Sequence, residues 1–298
     1  MPVKKPSKSR LMLTLLAALT ISTASACSSD ASSPEPVAAP VEGVSVELKT
    51  PGQAPQSPLA WFVDNTEQKV TYSATQGLEQ KTLHGKSGED LPYGEVTMSL
   101  PLTASSTSNG KTHTQKVTVG APDGSNKELN EDMATAEGFE MRTTVEDDGR
   151  ATERSFIAPE EASDGAKASI EMALTQMNSL PLVFPREPVG VGAKWTVSNR
   201  VDEGVSLRQE VTYELNSRQG RNVALSVDIE RRPAVSSLAD TDLRVLDASS
   251  KTQGHVQLDL TRPLPVRGHV NVETTVTYGK KNSPLRVIQK STSRNEWK

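Results

Sequence analysis

Cysteine is almost missing from this chain: Cys27 is the only one in 298 residues. A disulfide within the chain is therefore excluded, and burial must hold the fold together. Aromatic residues are also scarce, at 4%, so any core is built mostly from aliphatic and β-branched side chains. No apolar run reaches the ~20 residues that a membrane-spanning helix needs. No concentrated basic stripe exists to neutralise phosphates, which argues against nucleic acid as a partner. Catalytic signatures are missing too. There is no G-x-S-x-G elbow and no H-E-x-x-H, and His84, His113, His255 and His269 lack close metal-ligand spacing. The reading is a protein that is not an enzyme, with no cofactor and no metal.

What is present begins with an address. Lys4, Lys5, Lys8 and Arg10 precede an apolar stretch from Leu11 to Ala26, the layout of a secretory signal peptide over residues 1–26. Ala24-Ser25-Ala26-Cys27 resembles the lipobox of bacterial lipoproteins. That resemblance implies that Cys27 carries diacylglycerol and becomes the new N-terminus. The protein is then expected to be exported and lipid-anchored on the outer face of the cell membrane, which is its partner through Cys27. Taking the four leader cations from the 33 Lys and Arg leaves 29 against 37 Asp and Glu, a formal charge of −8. Residues 27–57 contain Pro34, Pro36, Pro40, Pro51 and Pro55 and little apolar content, so they read as a disordered tether. Residues 58–298 read as a single folded domain.

Within it, alternation dominates. Val70, Tyr72 and Ala74, then Val211, Tyr213 and Leu215, then Val270 and Val272 alternate with polar residues. Each run predicts a strand with one buried face, as in an antiparallel sheet. Asp148-Gly149 marks a hairpin, and Gly190-Val191-Gly192, although it looks like a nucleotide loop, reads as a turn into the Trp195 strand. One segment differs: Ala166, Ile170, Ala173, Leu174, Met177 and Leu180 recur at helical spacing, and Pro181 ends the pattern. An α+β, mainly β fold follows: a strongly curved antiparallel half-barrel with one amphipathic helix on its concave side. SLPLTASSTSNGKTHTQKVTVG echoes DLTRPLPVRGHVNVETTVTYG and suggests two related halves.

LVFPREPVGVGAKW, from Leu182 to Trp195, together with the lipobox, resembles a family of exported actinobacterial lipoproteins of unassigned function. The layout is similar to lipoprotein carriers of the LolA and LppX type, in which a half-barrel and helices enclose an apolar cavity for acyl chains. The likeness implies a lipid or glycolipid ligand, and Ile170, Ala173, Leu174 and Met177 are the candidate lining of an apolar pocket. The alternative is a non-catalytic module that docks an envelope protein or wall polymer. Asp123, Asn126 and Glu128 read as a polar hairpin tip rather than a calcium loop.

Overall fold

A chain that alternates apolar and polar side chains can bury one side and wet the other, and most of this chain does so. The computed structural model describes residues 34–298, apart from 86, 203–205, 239–240 and 281 and the side chains of 91 and 92. The expected leader and Cys27 lie outside the described residues. Two short strands come first, β1 (Val37–Ala39) and β2 (Ser45–Thr50). A meander follows through β3 (Gln68–His84), β4 (Ser87–Ser108), β5 (Thr112–Val119), β6 (Asp123–Gly124), β7 (Glu140–Glu146) and β8 (Ala151–Ile157), with a one-turn helix α1 (Asn130–Ala134) after β6. Helix α2 (Asp164–Asn178) leads to a second meander: β9 (Lys194–Asp202), β10 (Ser206–Gln219), β11 (Asn222–Pro233), β12 (Arg244–Asp259), β13 (Arg267–Gly279) and β14 (Leu285–Trp297).

All these strands form one antiparallel sheet in the order β1-β8-β7-β5-β4-β3-β14-β13-β12-β11-β10-β9-β2, with β6 beside β4. The first meander thus runs from the middle outward. The second starts near the opposite margin and returns to the middle, where β14 pairs with β3 from His84↔Leu285 to Tyr72↔Trp297. Residues 158–193 must therefore cross the sheet from one side to the other, which is why α2 lies over its face.

The sheet is bent nearly into a ring. Arg154 on β8 hydrogen-bonds the Asn178 side chain, while Gln209 on β10 donates to the carbonyl of the next residue, Ser179. Those strands lie nine places apart, about 43 Å in a flat sheet at ~4.8 Å per strand. Only strong curvature lets neighbouring residues touch both. The sheet stays open, with β1 and β2 as its margins. Residues 40–44 join those margins, so the seam is at most about 20 Å wide where the link crosses it.

Helix α2 begins where Ser163 Oγ accepts the Ala166 N–H at 3.0 Å, an N-cap. It ends before Pro181, which cannot continue a helix. Its apolar face of Ala166, Ile170, Ala173, Leu174 and Met177 is buried, as the helical spacing requires.

The segment expected to be a tether through residue 57 is instead partly folded. β1 pairs with β8 and β2 with β9. The Gln53 N–H donates to Val191 O at 2.8 Å, and Ser57 and Val189 exchange two bonds of 3.1 Å. An open sheet leaves bare donors and acceptors along both margins, and the nearest extended chain satisfies them. The prolines that suggested disorder fall outside both strands. Gly190 permits the crossing: a Cβ there would lie 1.8 Å from the Gln53 carbonyl oxygen.

Candidate functional site

The C-terminal end of α2 is tied to three parts of the sheet. Gln176 Nε2 donates to the main-chain carbonyls of Thr75 and Arg294, on β3 and β14, at 3.2 and 2.9 Å. Gln209 Nε2 reaches the Ser179 carbonyl at 2.7 Å and Asn199 Oδ1 at 3.0 Å. Its Oε1 accepts from Arg231 Nε at 2.8 Å. Arg154 Nη2 completes the set, at 3.0 Å from Asn178 Oδ1. The helix is therefore fixed in the hollow of the sheet.

A helix advances 100° per residue, so Ala168, Glu171, Met172 and Thr175 lie on the side away from the buried face. Along that flank, between the helix and the seam, runs a cavity of about 730 Å³. Ala39, Pro40, Val41 and Val44 from the seam border it, as do Trp61, Leu182 and Val183. Met172 at the helix flank is 58% exposed.

One wall has an ordered chemistry. Gln115, Thr143, Arg154 and Ala39 stand opposite one another across β5, β7, β8 and β1, and all four line the cavity. The rows on either side are apolar: Met141 opposite Phe156, and Val145 opposite Ala151. A polar band thus runs between two greasy ones. Four polar atoms among the lining residues are buried without a hydrogen-bond partner: Thr143 Oγ1, Arg154 Nε, Gln176 Oε1 and Trp297 Nε1. Unsatisfied buried groups cost about 1–3 kcal/mol each, and four of the ten among the described residues border this one hollow. Burial brings the Arg154 guanidinium down to about 10, with no carboxylate to offset the cost. It remains charged at neutral pH. The lining contains no histidine and no cysteine among the described residues.

Of the four side chains expected to line an apolar pocket, Met177 reaches this cavity. Ile170, Ala173 and Leu174 do not; they belong to the packed core, at 0–4% exposure. The most apolar face of a helix is the one a sheet covers first, so it fills rather than leaving space. The flank that borders the cavity looks like a solvent face in sequence. Arg154 carried a readable signal nonetheless, because period-2 spacing puts it on the inward side with Phe156.

The other sequence candidates serve the local fold. Asp123 accepts from Lys127 Nζ at 2.7 and 2.8 Å, and Asn126 caps the Glu128 N–H. Among the described residues no three His, Cys, Asp or Glu side chains gather as a metal site. His113 is buried on β5 beside Gln115, at 3.4 Å, and burial lowers its pKa. His255 and His269 face each other across β12 and β13, ring centres 6.5 Å apart. Three cations at the C-terminal end are paired locally: Lys290 with Glu273, Arg294 with Glu95 and Lys298 with Glu296.

No family model matches the chain, and no curated protein matches it either. No helix among the described residues is long and apolar enough to cross a membrane.

Proposed function

We propose that this is an exported, membrane-anchored lipoprotein that binds or carries a lipid or another amphiphilic ligand of the cell envelope without catalysing a reaction. The observation that carries the reading is the cavity beside α2. At about 730 Å³ it falls within the ~300–1,000 Å³ range of small-ligand sites. Its apolar rows suit hydrocarbon, and its position under an open seam offers a way in that requires no break in the sheet. Acylation of Cys27 would keep the protein at a bilayer, where the ligand is delivered or collected.

Native mass spectrometry of the full-length protein, extracted gently from membranes, tests the proposal. The expected spectrum shows a bound species of lipid mass that collision releases. An Ala168→Trp variant, which fills the cavity from the exposed helix flank, should lose that species while keeping its melting temperature. If only apo protein appears and no acyl probe binds, the proposal fails.

The docking alternative has one observation in its favour. Leu78 and Val96 are 47% and 61% exposed on the β3–β4 hairpin. Cross-linking at the cell surface should recover a stable protein partner if that reading is the right one.

A further inference from the structure

The polar band on the cavity wall has a sign. Arg154 is its only charged member, and its contacts within the protein are neutral: Asn178 Oδ1 at 3.0 Å and the Pro40 carbonyl at 3.4 Å. Among the described residues no carboxylate lies within ion-pair distance of it. Glu42, Glu171 and Asp202 also border the cavity, but all three are exposed. The carbonyls at the α2 C-terminus lie close by and favour a cation, which accounts for part of the guanidinium's placement. They do not account for its Nε, which is buried without a partner, nor for the unpartnered hydroxyl of Thr143 directly opposite. Thr143 is 4% exposed. A half-buried cation and adjacent unmet donors, set between two apolar rows, match one kind of guest: an anion attached to hydrocarbon.

We infer that the ligand of this cavity is an acidic amphiphile, whose carboxylate or phosphate is received by Arg154 with Thr143 and Gln115 while its chain lies along Met141, Val145 and Phe156. This rests on the ligand-binding reading above and gives it a chemical class. A guanidinium donates two parallel N–H···O bonds to either anion, so the shared feature is a planar or tetrahedral oxyanion. The neutral partners around Arg154 leave its positive charge for the ligand to balance.

The test compares three probes on the full-length protein: oleate, dioleoylphosphatidate and uncharged dioleoylglycerol. Wild type is expected to bind at least one of the acids tenfold or more tightly than dioleoylglycerol, and the tighter acid tells carboxylate from phosphate. Arg154→Gln should bind acid and neutral probes alike. Arg154→Lys should retain most of the preference, and Thr143→Val should weaken acid binding several-fold with the neutral probe unchanged. Melting temperatures check that each variant is folded, and the Lys and Val variants carry the test if Arg154→Gln is not. Equal binding of acid and neutral probes by wild type overturns the headgroup inference and leaves the proposed function standing. A preference that survives in Arg154→Gln does the same. Binding of none of the three sinks both.

Discussion

At the scale of single residues, two positions have energetic consequences that experiment can reach. His113 is 2% exposed, and burial lowers its pKa below the ordinary 6.5, against a smaller opposing pull from Asp147. The unfolded chain therefore takes up a proton that the folded one refuses. The stabilisation is full above pH ~6.5, declines as pH falls through that value towards the folded pKa, and then levels off. Each unit of depression is worth about 1.4 kcal/mol. A thermal melt series from pH 8 to 5 should show a decline that His113→Gln reduces. Gly190 is constrained by space rather than charge. Since the atom in its way is a main-chain oxygen of Gln53, nothing can swing aside. Gly190→Ala should cost at least about 2 kcal/mol, with faster exchange of the Gln53 amide as its local signature.

At the scale of elements, α2 has two faces with separable roles. Leu174 is fully buried, so Leu174→Ala should lose about 2–5 kcal/mol in a denaturant titration. Acyl-probe affinity should stay unchanged wherever the variant is folded. The helix was readable because its apolar spacing and the prolines after it agree. The long strands were readable because Tyr72, Val211, Tyr213 and Val270 face a core while their neighbours face water. β4 was harder. Pro92 and Pro101 interrupt it, and Pro101 fits only because it sits in the gap between two partners, β5 starting at Leu102 and β6 reaching Ser99. β1 and β2 left almost no trace, being three and six residues long and pairing through main chain rather than through a buried side-chain pattern. The cavity was illegible for a related reason: Glu171, Met172 and Thr175 resemble a solvated flank, and only the curvature of distant strands makes that flank a wall.

At the scale of the molecule, the margins decide solubility. A chain beginning at residue 58 lacks both β1 and β2 and exposes the unpaired sides of β8 and β9. Exposed strand edges recruit other chains. Size-exclusion chromatography with light scattering should find it self-associated, whereas a chain beginning at residue 34 stays monomeric.

The join between β3 and β14 governs the order of assembly. Each meander is made of neighbours in sequence and can zip up locally, but the join brings Tyr72 to Trp297, across almost the whole length of the fold. Contacts of such separation form late and slowly. A ribosome releasing this chain from its N-terminus leaves β3 waiting, one side unsatisfied, until residues 285–297 emerge. The join then acts as a clasp, and the hollow beside α2, whose lining comes from both meanders, is expected to be complete only once it closes.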